Sequence, residues 1–168
     1  EGVIDGTIDM ISTDHAPHSA EEKARGLERS AFGIVGIETA FPVLYTKLVK
    51  ENIITMDRLM ELLVINARKR FNIPFKPDDY TVWDLDRTFT VDPSEFLSMG
   101  KATPFEGWEL SGVCLLTVKG GENVRLYSPQ YVTGETDATI FMRVTHPIEG
   151  ACRVFAEPGL YSQRLRYA

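Results

Sequence analysis

The chain has 168 residues, of which 43% are hydrophobic and 25% charged, and its formal net charge is −6. These proportions are those of a globular protein that is large enough for one good core or two small ones. The negative charge gives no reason to expect nucleic acid or an anionic membrane as a partner, and no apolar run reaches the roughly 18 residues that a membrane span needs.

The first part of the chain has the pattern of an α/β unit. Residues 7–13 are mostly apolar and β-branched, which predicts a short buried strand. Residues 14–33 are rich in charge and predict a loop. Apolar residues at three- and four-residue spacing then predict one helix over 36–48 and a second over 55–70, with Thr55 as the N-cap of the second.

The second part of the chain has the pattern of strands. Short runs of β-branched and aromatic residues occur at 80–85, 89–91, 113–118 and 123–127. Gly120-Gly121 lies between the last two runs and suits a tight hairpin turn that needs positive φ. The final segment, 131–168, contains two further candidate strands at 138–144 and 152–155.

A short motif follows the first predicted strand. Asp14-His15-Ala16-Pro17-His18 places one carboxylate and two imidazoles where that strand gives way to a loop broken by proline. A carboxylate at the end of a strand can bind a cation, or accept a proton from a nearby water molecule. Because Pro17 prevents a helix here, His15 and His18 are expected to diverge, and His18 suits a donor to an anionic substrate group.

The residues alone leave two interpretations of this motif open. In the first, Asp14 caps the following turn and both histidines pack locally. In the second, Asp14 and His18 carry out chemistry. The chain has only three histidines, and neither His-x-His nor His-Glu-x-x-His, so a complete zinc site is not encoded in it.

Longer stretches extend the motif into a family resemblance. The sequence from Ile8 to Thr46, which contains DHAPH and the later FGIVGIETAFP, resembles the closing part of type I bacterial dihydroorotases of the amidohydrolase superfamily. The resemblance continues through YTVWDLDRTFTVDPSEFLSMGKATPFEGWELSG, from Tyr80 to Gly112.

The resemblance implies a fold and an activity. Members of the family have a metal-dependent (β/α)8 barrel with a small β-sandwich, and they reversibly cyclise N-carbamoyl-L-aspartate to L-dihydroorotate in pyrimidine (UMP) biosynthesis. The implied fold class is α/β: residues 1–72 would be the last barrel strand with its helices, and 73–130 the C-terminal part of a composite β-sandwich. Residues 131–168 resemble nothing in the family and are assigned as a tail of unknown origin.

Residue roles are implied by the positions in the motif. Asp14 would ligate one zinc ion, of one or two in the site, and shuttle the proton between the bridging water and the ring nitrogen. His18 would bind the substrate carboxylate, while Phe32 and Gly33 would contact the substrate through backbone groups. His15 has no family role and is expected to be satisfied by local hydrogen bonds.

The chain departs from the family in what it lacks. The first-strand His-x-His, the metal-bridging residue and two further histidine ligands do not occur in it. The resemblance therefore implies that the chain starts at the last barrel strand of a longer protein and is inactive without the other strands. The connection at 72–79 is also shorter than is usual in the family.

Three functions are compatible with the sequence. The first is a dihydroorotase fragment, the second is another cyclic-amide hydrolase (a dihydropyrimidinase, hydantoinase or allantoinase), and the third is a non-catalytic dihydroorotase-like partner chain. The enzyme readings imply a small-molecule substrate, and they leave open a homo-oligomer or a partnership with another pyrimidine-pathway enzyme. Cys114 and Cys152 lack Cys-x-x-Cys spacing and favour reduced thiols in a cytoplasmic protein.

Overall fold

The computed structural model describes residues 1–120 and 122–126, and in this part of the chain five short α-helices precede a three-stranded antiparallel sheet. The hairpin residue Gly121 and the tail 131–168, with its two predicted strands, lie outside the described residues. No helix in the described part is long and apolar enough to cross a membrane.

Two one-turn helices occur near the N-terminus, α1 (Gly2–Asp5) and α2 (Ala20–Lys23). Helix α2 begins with a capping box, in which the Ser19 hydroxyl accepts from the Glu22 N–H and the Glu22 carboxylate accepts from the Ser19 N–H. A Ser-x-x-Glu pattern is a sequence signature of a helix start, so this turn of helix was predictable within the region expected to be a loop.

Both longer helices predicted from the sequence are present, and each contains a π-helical section. Helix α3 (Ala40–Leu44) continues as a π-helix over Tyr45–Val49, so it begins later than its apolar pattern suggests. Helices α4 (Met56–Met60) and α5 (Asn66–Arg70) are joined by a π-helix over Glu61–Ile65.

The N-terminus of α4 is capped as predicted. The Thr55 hydroxyl accepts from the Arg58 N–H at 3.1 Å, and Asp57 lies in the first turn, near the positive end of the helix. The wide π-helical turn that follows alters which side chains face the core. Leu62 is fully buried there, whereas Leu63 is only half-buried.

The sheet has the order β1-β2-β3, formed by β1 (Tyr80–Thr90), β2 (Glu109–Lys119) and β3 (Glu122–Leu126). The two runs predicted at 80–85 and 89–91 belong to one strand, β1, whose register with β2 is irregular between Asp84 and Thr88.

The side chain of Asp84 stabilises the irregular part of β1. Asp84 Oδ1 accepts from the backbone N–H groups of Asp86 and Arg87, both at 3.2 Å. The extra residues of β1 are thereby accommodated as a bulge. The bulge joins the two runs that the sequence pattern predicts as separate strands.

Strands β2 and β3 form the predicted hairpin. Lys119 pairs with Glu122, and Gly120 has a φ of +59°, a left-handed conformation that glycine adopts at little cost. The Asp79 carboxylate accepts from the Gly120 N–H at 2.7 Å and from Lys119 Nζ at 3.2 Å. It therefore ties the turn to the start of β1.

The helices and the sheet share one apolar cluster. Its buried members are Phe41, Ile54, Leu59, Met60, Leu62 and Leu85. The Phe41 ring stacks on Tyr45 with centroids 5.8 Å apart and contacts Trp83 of β1 at 4.4 Å. Lys50 Nζ also donates to the Ser111 hydroxyl at 2.8 Å, so both polar and apolar contacts hold the helices to β2.

The strand predicted at 7–13 is wrong for the described residues. Residues 8–14 have no regular secondary structure, and Ile8 is 44% exposed. The Ile11 N–H donates to the Leu62 carbonyl at 3.0 Å, in the helical region. A strand needs a neighbouring strand for its hydrogen bonds, and the sheet within residues 1–120 and 122–126 does not include this segment. Apolar composition alone therefore did not create a strand.

Candidate active site

Asp14 opens the motif in a left-handed backbone conformation. Its φ is +45°, in a region that aspartate visits more often than most residues. The side chain is exposed, and no donor among the described residues hydrogen-bonds to its carboxylate. The turn-capping interpretation of Asp14 is thus not observed, and its oxygens face outward.

His15 is held by backbone groups of a later segment. Its Nδ1 accepts from the N–H groups of Gly36 at 3.3 Å and Ile37 at 3.4 Å, and its backbone forms a parallel bridge with Ile34. An Nδ1 that accepts requires a neutral ring with the proton on Nε2. His15 is satisfied by hydrogen bonds as predicted, but its partners are not local, because they lie 21 and 22 residues further along the chain.

His18 contacts the loop that carries two other predicted site residues. Its Nε2 lies 2.9 Å from the carbonyl oxygen of Phe32, so this nitrogen is the donor. Its Nδ1 lies 3.7 Å from Glu22 Oε2. Both ring nitrogens therefore face protein acceptors, and one of these contacts has to open before His18 can donate to a substrate anion.

The Glu22 carboxylate beside His18 is kept ionised by its neighbours. Hydrogen bonds from the backbone and side chain of Ser19 lower the pKa of Glu22, with a smaller contribution from the nearby His18. The capping box of α2 thus places a negative charge next to the imidazole.

Phe32 and Gly33 lie against the motif. The Phe32 side chain is 92% exposed, and Gly33 has a φ of +129°. A Cβ on Gly33 would overlap the Cβ of Ala16, so this position requires glycine for both conformation and space. The structure thereby brings His18, Phe32 and Gly33 together. It leaves Asp14 at the other end of the motif.

The sequence carries no signal for Lys23, which also contacts this loop. Lys23 Nζ donates to the carbonyl oxygens of Ala31 at 2.8 Å and Gly33 at 3.0 Å. With the bond from His18 to Phe32, three consecutive carbonyl groups are each held by a side chain. Every residue type has a backbone carbonyl, so contacts with carbonyl groups leave no pattern in the sequence. The role of Lys23 in this loop is therefore not predictable from the sequence.

A segment that precedes β2 also packs on the motif. A Cβ on Gly100 would stand 2.5 Å from the Pro17 carbonyl carbon and 2.6 Å from the His18 carbonyl oxygen. Such distances are too short for any side chain, so Gly100 is required for the backbones to approach. The Val35 N–H also donates to the Ala102 carbonyl at 2.8 Å.

The same segment is fastened by Glu38. Its carboxylate accepts from the backbone N–H groups of Leu97 at 2.9 Å and Ser98 at 3.0 Å, and from the Ser98 hydroxyl at 2.6 Å. Hydrogen bonds to an ionised acceptor are stronger than neutral ones. Glu38 therefore fixes residues 97–98 relative to the loop that follows Gly33.

A shallow groove opens beside His18. It is lined by His18, Ala20, Lys23, Ala24, Met99, Lys101 and Ala102. Two of these residues are lysines, so the groove carries positive charge that favours an anionic ligand.

The described residues do not assemble a metal centre by themselves. Within 1–120 and 122–126, no group of three or more His, Cys, Asp or Glu side chains is placed to hold an ion. Asp14 could supply one carboxylate oxygen, whereas zinc sites in proteins use three or four protein ligands. A metal at Asp14 therefore needs ligands from outside the described residues.

Curated relatives share the motif-bearing part of the chain. No protein-family model matches the chain. Dihydroorotases from Bacillus thuringiensis (strain Al Hakam) and Bacillus cereus (strain AH187) are each 50% identical to it over 128 residues. These matches cover 73% of this chain and 30% of each relative, so the chain spans less than a third of the proteins it matches.

Solved structures share its fold. The L-hydantoinase (dihydropyrimidinase) from Arthrobacter aurescens superposes with a TM-score of 0.67 at 28% identity, over 76% of this chain and 32% of that one. Part of the D-hydantoinase (dihydropyrimidinase) from Thermus sp. superposes in the same way, with a TM-score of 0.67 at 22% identity over 76% of this chain and 31% of the other.

In sequence and fold the chain resembles part of one class of protein, the cyclic amidohydrolases. Within that class it is related in sequence to part of the bacterial dihydroorotases, and the resemblance inferred from the motif is confirmed. The expected mixture of helices and strands is confirmed as well, as a partial match to amidohydrolase structures.

Proposed function

We propose that the chain is the C-terminal part of a dihydroorotase and takes part in the reversible cyclisation of N-carbamoyl-L-aspartate to L-dihydroorotate. One observation carries the proposal: His18 reaches Phe32 at 2.9 Å, in a chain that is 50% identical to dihydroorotases over 128 residues. Because the chain spans 30% of those relatives, it is inactive until the rest of the site is supplied.

The proposed place of the chain in the fold explains its unpaired N-terminal segment. Residues 1–72 form the last strand and helices of a (β/α)8 barrel, and 73–130 form part of a β-sandwich. Residues 8–14 have no regular structure in the described chain. In a closed barrel each strand pairs on both sides, so this segment becomes a strand when its neighbours are present.

The proposed role of Asp14 is to hold a metal and to move a proton. Its exposed carboxylate, without a donor among the described residues, would supply one ligand to Zn²⁺ in a site of one or two ions. Bound zinc polarises a carbonyl and makes water more acidic. Asp14 accepts the proton that water loses during ring opening, delivers it to the departing amide nitrogen, and does the reverse in cyclisation.

The proposed substrate contacts come from the loop around Gly33. The backbone N–H groups of Phe32 and Gly33 have no acceptor among the described residues, so both can donate to substrate oxygens. His18 supplies a third donor to the substrate carboxylate once it exchanges one of its present partners. We propose a small-molecule substrate, a cytoplasmic location, and either a homo-oligomer or a partnership with another pyrimidine-pathway enzyme.

The test supplies the missing strands in the same polypeptide. The part of the Bacillus cereus dihydroorotase that this chain does not match is joined to the chain, and the purified protein is assayed with zinc and N-carbamoyl-L-aspartate. We expect turnover that Asp14→Asn lowers by roughly 10²- to 10⁴-fold, the usual contribution of a general acid–base. Asp9→Asn, at another exposed carboxylate, is the matched control and should leave turnover unchanged. A folded, zinc-loaded joined protein without turnover would contradict the proposal.

A second candidate is a cyclic-amide hydrolase of the hydantoinase type. It is favoured by the TM-score of 0.67 and 28% identity with the Arthrobacter aurescens L-hydantoinase. The discriminating experiment joins this chain to the unmatched part of that hydantoinase and assays hydantoin and dihydrouracil. Activity of this joined protein, with none in the dihydroorotase-derived one, would favour the second candidate.

A further inference from the structure

Lys23 is placed to control the orientation of the loop at Phe32 and Gly33. Its Nζ donates to the Ala31 carbonyl at 2.8 Å and to the Gly33 carbonyl at 3.0 Å, and it is partly buried by the loop that it binds. An ammonium group has three donors, so one lysine can hold two carbonyl groups at once. His18 Nε2 holds the carbonyl between them at 2.9 Å.

The three held carbonyl groups determine where the loop's N–H groups point. In a trans peptide the C=O of one residue and the N–H of the next lie in one plane and point in opposite directions, and no cis peptide occurs in the described residues. Holding the Ala31 carbonyl therefore aims the Phe32 N–H away from Lys23. Holding the Phe32 carbonyl aims the Gly33 N–H away from His18 in the same manner.

Glycine at position 33 makes this arrangement feasible. In an extended segment successive peptide groups alternate in direction, so the carbonyls of Ala31 and Gly33 can face one donor while that of Phe32 faces another. The φ of +129° at Gly33 is a conformation that other residues rarely adopt, and the absence of a Cβ lets the loop pass close to Ala16. The loop can then present Ala31, Phe32 and Gly33 to donors from the short segment 18–23.

We infer that Lys23 is a positioning residue, which orients the backbone N–H of Phe32 and, together with His18, that of Gly33 for a carboxylate or carbonyl oxygen of the substrate. Glu22 and Ser19 complete the arrangement, because the capping box fixes the turn of helix that carries Lys23. The catalytic importance of Lys23 rests on the proposed function, whereas the orientation of the loop by Lys23 is a property of the chain itself.

The test measures the backbone order of the loop in the full chain by NMR. In the unaltered chain the Phe32 and Gly33 amides should have order parameters of about 0.85, as in rigid backbone. Lys23→Met, which keeps the stem and removes the donors, should lower both below about 0.6 and leave the amides of Leu59 and Leu62 in the helical core unchanged. Lys69→Met, at an exposed lysine of α5, should change none of them.

The outcomes separate positioning from general stability. Order parameters at Phe32 and Gly33 that stay at the unaltered value in Lys23→Met would overturn the inference. Equal loss of order in the loop and at Leu59 and Leu62 would also overturn it, because Lys23 would then support the whole fold. The measurement needs neither zinc nor substrate, so its failure is distinguishable from a failure of the proposed function.

Discussion

The backbone of Gly100 lies directly against the backbone of Pro17, where a Cβ on Gly100 would stand 2.5 Å from the Pro17 carbonyl carbon. Pro17 belongs to the motif that carries Asp14 and His18, and Gly100 belongs to the segment between β1 and β2. The segment between β1 and β2 therefore packs directly against the backbone of the candidate active site.

Replacing Gly100 should disturb the motif. Gly100→Ala forces the two backbones apart, and overpacking of this kind destabilises by about 1–3 kcal/mol. Amide hydrogen exchange should increase at Ala16 and His18, and the urea midpoint of unfolding should fall. Gly107→Ala is the control, since nothing lies within 4 Å of a Cβ there and only the conformational penalty applies. Equal exchange at Ala16 in both variants would contradict the supporting role of Gly100.

Glu38 should hold the segment that carries Gly100. Glu38→Gln removes the negative charge that accepts from Leu97 and Ser98, and loss of such hydrogen bonds lowers the free energy of unfolding by about 1–3 kcal/mol. Urea denaturation measures the change. Glu28→Gln, at an exposed position of the loop, should leave the unfolding curve as it was. An unaltered midpoint in Glu38→Gln would show that these bonds add nothing to stability.

Because the helices and the sheet share one core, truncating a single buried leucine, Leu59, should lower the stability of the chain. Leu59 has no exposed surface, and Leu59→Ala should lower the free energy of unfolding by about 2–5 kcal/mol through lost burial and a cavity. Leu27 is 96% exposed, so Leu27→Ala is the matched control, with an expected change within about 0.5 kcal/mol. Calorimetry or urea denaturation measures the free energy of unfolding of both variants.

Acid should weaken the tie between the hairpin turn and β1. Hydrogen bonds from the Gly120 backbone, and then from Lys119, lower the pKa of Asp79 from its ordinary value of 3.8. A carboxyl group with a lowered pKa stabilises the fold above its ordinary pKa, and this stabilisation is lost as pH falls below 3.8 towards the folded value.

The corresponding measurement is the urea midpoint from pH 6 to pH 2. Asp79→Asn should lower the midpoint at pH 6, and the difference from the unaltered chain should shrink as pH falls below 3.8. Asp78→Asn, at the exposed neighbouring position, should follow the unaltered chain throughout. A constant difference between Asp79→Asn and the unaltered chain at all pH values would contradict the role of this carboxylate.

The elements that local chemistry determines were predictable from the sequence. Thr55 caps α4 and Gly120 makes the hairpin turn, because in each case the residue acts on backbone close to it or in a conformation special to its type. His15 is hydrogen-bonded as expected, but to Gly36 and Ile37 of a later segment. The Ser19 and Glu22 capping box had an equally clear signature.

The elements that depend on distant partners were not predictable. Residues 7–13 have strand composition, yet a strand forms only where neighbours supply hydrogen bonds. Leu62 is buried because a π-helical turn alters the register of the apolar stripe, and the contacts of Lys23 and Gly100 are made with backbone atoms. None of these contacts leaves a spacing pattern in the sequence.

A side-by-side assay of the 168-residue chain and the joined dihydroorotase polypeptide, both with zinc and N-carbamoyl-L-aspartate, tests the central claim most directly. We expect no turnover above background from the chain alone, and turnover from the joined protein that Asp14→Asn lowers by roughly 10²- to 10⁴-fold. Turnover by the chain alone at the rate of the joined protein would contradict the claim that it supplies only part of the site. So would full activity of the Asp14→Asn joined protein.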